Sequence, residues 1–157
     1  MNYELVKKLK DAGFPQTAKP NSDQTFSFEN GGNGGSYYMV CPVKNGCCFI
    51  QFFTAQDYAK TIKSVPPEGF KASEILKIPT LSELIAWFQK YAEGGSVVSL
   101  ILKYEWTVNT PQFPSFSALL TEAKGCGDDS TSWETKAEGT TPEEAVAKLC
   151  LVLNEKS

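Results

Sequence analysis

Apolar residues recur at three- and four-residue steps in three stretches of this chain and at two-residue steps in several others. Near the N-terminus, Leu5, Val6 and Leu9 share one face of a predicted helix that starts at an Asn2 cap and ends near Ala12. Lys7, Lys8 and Lys10 fall on the opposite face. Gly13 fits the left-handed position after the helix, Phe14 can close a Schellman motif on Leu9, and Pro15 stops the element. A second stripe, Leu81, Leu84, Ile85 and Phe88, follows Thr80 and Glu83, which have the spacing of a capping box and predict a helix to about Ala92. The third stripe is Ala145, Val146, Leu149, Val152 and Leu153, introduced by Thr141-Pro142-Glu143-Glu144. There a hydroxyl caps, proline takes the first helical position, and two carboxylates sit where the helix dipole favours them. Glu144 is spaced to reach back to the cap's own N–H. Thr54 with Asp57 predicts one more short helix, from Ala55 to about Lys63, before the break at Ser64-Val65-Pro66-Pro67-Glu68-Gly69.

Alternation predicts the strands. Gln24 to Glu29, Ser36 to Cys41 and Gly46 to Phe53 form an antiparallel meander, the last two joined through an Asn45-Gly46 hairpin signal. Val97 to Val108 places Val98, Leu100, Leu102, Tyr104 and Trp106 on one face and reads as the longest, central strand. Trp133, Thr135 and Ala137 alternate with Glu134, Lys136 and Glu138 in a closing strand that Gly139 turns into the last helix. Phe113 to Leu120 repeats the apolar-Pro-Ser/Thr-apolar pattern of residues 78–85. It reads as a helix start, either duplicated with its strand or used a second time. These elements predict an α+β fold: an antiparallel sheet of about five strands with helices packed mainly on one face, in a single domain over residues 1–157.

Composition narrows the function more than it names it. The chain has no histidine, and its 15 basic side chains are all lysine. The commonest general base and metal ligand is therefore missing, as is the guanidinium fork that grips phosphate or guanine bidentately. A net charge of −3 argues against sequence-specific nucleic-acid binding, which draws on a basic surplus. No apolar run reaches the length of a membrane span, and the N-terminal stretch lacks the apolar core of a secretion signal, which predicts a cytoplasmic protein. In that setting Cys41, Cys47, Cys48, Cys126 and Cys150 are expected as thiols, and their spacing matches no zinc ribbon. Neither a cofactor nor a metal is predicted, and no catalytic residue is identified.

Candidate binding chemistry lies in the aromatic meander and the loop before it. On the two paired strands alternation sets Tyr37, Met39 and Cys41 against Tyr38 and Val40, and Cys47, Phe49, Gln51 and Phe53 against Cys48, Ile50 and Phe52. The second sets are more uniformly apolar, so Val40, Ile50 and Phe52 are expected in the core. Tyr37, Phe49 and Phe53 are then expected outside, around Gln51. Such a face serves a partner protein, a second copy of the chain, or a nucleotide-like ligand stacked on the rings. For the last, Gly32, Gly34 and Gly35 of the Asn30–Gly35 loop would supply backbone amides, although the lysine of a phosphate-binding loop is absent. Asp128 and Asp129 with Glu122 are a weaker candidate for a divalent cation; a solvated acidic loop is the stronger reading of them.

Three framework stretches carry a resemblance: Leu9-Lys10-Asp11-Ala12-Gly13-Phe14-Pro15-Gln16, Pro79-Thr80-Leu81-Ser82-Glu83-Leu84-Ile85 and Thr141-Pro142-Glu143-Glu144-Ala145-Val146-Ala147-Lys148-Leu149. In order and spacing they resemble a group of small uncharacterised phage and prophage proteins. The chain departs from that pattern at Phe113–Cys126, which looks inserted, and at Cys150, where an aromatic is common. The resemblance implies a phage context and a non-enzymatic accessory protein that binds and neutralises a host factor, either a defence protein or a small nucleotide signal. The closing strand, turn and helix are also similar to HicB-like antitoxin domains, which implies an alternative as an antitoxin-like or regulatory protein-binding module.

Overall fold

Asn2 starts the first helix, α1 (Tyr3–Asp11), by accepting a hydrogen bond on Oδ1 from the Leu5 N–H at 2.9 Å. The computed structural model describes residues 1–21, 26–28, 35–42, 48–58, 73–89, 97–105, 115–124 and 131–155. The helix ends as a Schellman motif: Phe14 N–H donates to Leu9 O at 2.9 Å and Gly13 N–H to Lys10 O at 2.8 Å. Gly13 has a φ of 90°, a conformation that only a residue without Cβ takes without strain. The described chain divides into two compact units, Asn2–Pro79 and Thr80–Ser157.

In the first unit, strands β1 (Ala18–Pro20) and β2 (Phe26–Phe28) form a two-stranded antiparallel sheet. Strands β3 (Ser36–Pro42), β4 (Cys48–Thr54) and β5 (Glu74–Ile78) form a second antiparallel sheet in the order β4-β3-β5. Helix α1 covers β5 with Leu5, Val6 and Leu9, and Leu76 and Val40 are buried on that side. Tyr3 meets Tyr38 edge-on at 6.0 Å, and Lys10 pairs with Glu74. The other face holds Tyr37, Met39, Cys41, Phe53 and Ile75, closed over by Ala18, Phe26, Phe28, Ala55 and Tyr58.

The second unit contains α2 (Leu81–Phe88), the antiparallel meander β6 (Val97–Glu105), β7 (Ser115–Lys124) and β8 (Thr131–Gly139), and α3 (Pro142–Asn154). Helix α3 packs on β8 and β7 and against α2. Its buried residues are Ala145, Val146, Ala147, Leu149 and Cys150, whereas Val152 and Leu153 are only half-buried. The buried stripe is therefore rotated from the expected one, because α2 and the sheet cover adjoining sides of the helix.

The fold is α+β with antiparallel sheets, and its described strands fall into three sheets of two, three and three strands where the pattern predicts one of about five. Three strands lie outside the predicted set, β7 among them. Another is β1; the third is β5, whose Ile75 and Leu76 are both buried because their sheet is covered on both faces, so alternation is hidden. Residues 115–120 form part of β7 and not a helix, so their likeness to residues 78–85 reflects a shared local pattern and no repeated helix. The central strand of that sheet is β7, and β6 lies at its edge. Of the helix expected over Ala55–Lys63, the described part is a 3-10 turn at Ala55–Asp57, with Thr54 Oγ1 donating to Asp57 Oδ2 at 2.7 Å.

Candidate binding surface

Strands β3 and β4 pair as Tyr37 with Phe53, Met39 with Gln51 and Cys41 with Phe49, which puts these residues on one face as expected. The side on which that face lies is reversed. Tyr37 and Phe53 are buried at 1% and 3% exposure, while Ile50 and Phe52, expected in the core, are 39% and 55% exposed. The physical cause is the cover. The β1–β2 sheet and Tyr58 close over the Tyr37 face, and α1 covers the other face on the β5 side, which leaves β4 bare.

Within the closed face the aromatics form one packed group. Tyr37 stacks on Phe53 at 5.6 Å, Phe28 meets Tyr37 edge-on at 4.9 Å, and Tyr58 lies 5.0 Å from Phe28 and 5.7 Å from Phe53. Their polar ends are satisfied: the Tyr37 and Thr17 hydroxyls share a hydrogen bond of 3.0 Å, and Tyr58 Oη accepts from the Phe26 N–H at 2.8 Å. Rings packed in this way offer no face to a nucleotide. Phe49 remains exposed at the open end of the same face. Gln51 lies between them, half-buried, and its buried Oε1 has no hydrogen-bond partner among the described residues. Gly35 accepts from the Ala55 N–H and abuts the Tyr37 ring, while Gly32 and Gly34 lie outside the described residues.

The exposed large hydrophobic side chains of the described residues are Phe49, Ile50 and Phe52 on β4 and Ile101, Leu102 and Tyr104 on β6. All lie on edge strands. In each unit the covering helix sits over the opposite edge of the sheet, α1 over β5 and α3 over β8 and β7. On β6, Leu102 and Tyr104 pair across to Ala118 and Phe116, and Ile101 pairs to Leu119 on the reverse face. Sequence alternation set Leu102 and Tyr104 on one face of a strand expected to be central; the missed signal is Lys103, an edge-strand charge set inside an apolar run.

The remaining candidates carry no site. Burial raises the Cys41 thiol above its ordinary value, with the nearby Cys48 adding to the effect. Burial also pushes Cys150 up to about 12. Both are poor nucleophiles for that reason. Cys48 is exposed, and Cys47, Cys126, Asp128 and Asp129 fall outside the described residues, as does the Glu122 side chain. Among the described residues no group of three or more acidic, cysteine or histidine side chains is placed to hold a metal ion, and no helix is long and apolar enough to cross a membrane.

The turn before α3 is held by an acid. Thr141 Oγ1 accepts from the Glu144 N–H at 3.2 Å, as the sequence predicts. The Glu144 carboxylate, however, reaches past the cap to Thr140, accepting from its hydroxyl at 2.6 Å and its N–H at 3.2 Å, and pairs with Lys148 at 2.9 Å. Chiefly through the Thr140 hydroxyl, and then Lys148, these bonds hold the carboxyl down to about 2 from an ordinary value of 4.5. A depressed carboxyl adds stability that is complete above its unfolded pKa and lost as pH falls through the folded one. Glu144→Gln is therefore expected to unfold at lower urea than the parent at pH 7, with the gap closing between about pH 4.5 and 2. Urea midpoints across that range check it, and a gap that stays constant would contradict the role.

Comparison with protein-family models, with curated proteins and with solved structures finds no match for the chain.

Proposed function

We propose that the chain is a non-enzymatic phage or prophage accessory protein that binds and neutralises a host factor in the host cytoplasm, and that the factor is a protein. The observation carrying this reading is the exposure of Ile101, Leu102 and Tyr104 on the edge strand β6. Apolar side chains concentrated on a bare edge mark a surface that another macromolecule covers. Tyr104 supplies the aromatic contact that is enriched at protein interfaces, with Leu102 beside it as an apolar neighbour. A small nucleotide signal is the less supported occupant, because Tyr37 and Phe53 are inside. The phage context rests on the three framework stretches. The absence of histidine and arginine favours binding over catalysis. Native mass spectrometry of the chain recovered from infected cells tests the proposal. A stoichiometric host polypeptide is expected. A nucleotide bound without any polypeptide would overturn it, and a cognate toxin encoded beside the gene would support the antitoxin-like alternative instead.

A further inference from the structure

We infer that β4 pairs with β4 of a second copy of the chain about a twofold axis through Gln51, extending the three-stranded sheet across the dimer. The hydrogen-bonding groups on the open edge can be assigned from the register. Ala55 N–H donates to Gly35 O at 3.0 Å, and Gly35 and Ala55 continue the pairing that sets Ser36 against Thr54. In an antiparallel ladder alternate residues turn both backbone groups to the same neighbour. The odd-numbered residues of β4 thus face β3, and Cys48, Ile50, Phe52 and Thr54 face outward. Among the described residues β4 pairs with β3 alone.

A twofold axis at Gln51 sets Ile50 opposite Phe52 and Cys48 opposite Thr54, once on each side of the axis. Every outward backbone group then meets another, and axes centred on Ile50 or Phe52 would leave a residue unpaired at the strand end. Apolar side chains meet apolar ones at Ile50 and Phe52, and exposed Phe49 lands opposite Phe53 at the rim of the buried cluster. The strand carries no charge from Cys48 to Thr54, so two copies meet without repulsion. The other edges of the two three-stranded sheets carry charge: Glu74 and Lys77 lie on β5, Lys103 interrupts β6, and Glu134, Lys136 and Glu138 line β8. Gln51 supplies an independent observation. Its Oε1 is buried without a hydrogen-bond partner among the described residues. On the axis, Gln51 faces Gln51 of the second copy in a close, non-hydrogen-bonded pair, and a rotation of each side chain out of its buried position lets two carboxamides related by a twofold each donate an N–H to the other's oxygen. The newly covered side chains are few, so the interface falls below the ~1,200 Å² of a standard stable complex and the dimer is concentration-dependent.

This surface is separate from the β6 patch assigned to the host protein, so either assignment can fail alone. Sedimentation velocity of the full chain over a concentration series tests the pairing, starting from the 17.2 kDa of one copy. The expected result is a shift toward twice that mass. Ile50→Lys/Phe52→Lys, which sets lysine opposite lysine, abolishes the shift, and Ile50→Lys/Phe52→Glu, which sets lysine opposite glutamate, restores it. Circular dichroism melts confirm that each variant is folded. In a Cys48→Ser background, Gln51→Cys cross-links to itself under mild oxidation and Ile50→Cys does not. A parent that stays monomeric at all concentrations, a double-lysine variant that dimerises like the parent, or equal cross-linking from positions 50 and 51 overturns the inference.

Discussion

Phe53→Ala is expected to lower the free energy of unfolding by about 3–5 kcal/mol, while Phe52→Ala, one residue away, costs less than about 1 kcal/mol. The two rings have the same chemistry and opposite surroundings. Phe53 stacks on Tyr37 and touches Phe28 and Tyr58, so truncation leaves a cavity that the β1–β2 sheet and the Tyr58 side chain can only partly fill. Phe52 projects from the opposite face of an edge strand and has one ring neighbour in Tyr38, at 6.2 Å. Such a cross-strand pair contributes on the order of 0.2–1 kcal/mol. Urea denaturation of both variants separates the cases. Equal losses, or the larger loss at Phe52, would mean that β4 faces the other way.

Gly139→Ala is expected to cost about 3 kcal/mol, at the upper end of the range for overpacking. A Cβ at this buried glycine would lie 2.5 Å from the Ala145 nitrogen and 2.9 Å from the Glu144 carbonyl carbon. Both are backbone atoms of the first turn of α3, so no side-chain rotation relieves the contact. The strand end and the helix start would have to separate, and the Thr141 cap and the Glu144–Thr140 hydrogen bonds lie within that turn. Gly13→Ala is the matched comparison. Nothing lies within 4 Å of its added Cβ, and its cost comes from the positive φ alone, about 1–2 kcal/mol. Urea midpoints that rank Gly13 above Gly139 would refute close packing at the strand–helix junction.

How much of this could be read from sequence differs between the helices and the sheets. Helix starts are written locally: Asn2, Thr80 and Thr141 cap where their spacing to Leu5, Glu83 and Glu144 says they should. The detail at Glu144 escaped, because Thr140 and Thr141 compete for one carboxylate and only geometry decides between them. Strand faces are less legible. Alternation grouped Tyr37 with Phe53 correctly, but which group is inside depends on what lies above the sheet. Here the cover comes from β1, β2 and Tyr58, whose own sequence gives little strand signal beyond Phe26 and Phe28. Residues 115–120 begin with a serine that follows a proline, as a helix start would, and only the antiparallel pairing of Phe116, Ala118 and Leu120 with β6 and β8 makes them a strand. The binding surface was harder still. An apolar stripe on an edge strand has the same sequence as one on a buried strand, and Leu102 and Tyr104 differ from core residues only in what fails to cover them.

That uncovered stripe can be tested directly against the proposed host polypeptide, by titrating it with the parent chain and with Leu102→Ser/Tyr104→Ser. The variant should keep the parent's unfolding free energy to within about 1 kcal/mol, as exposed positions do, and lose at least about tenfold in affinity. Unchanged affinity in a variant that remains folded would show that β6 is not where the partner binds.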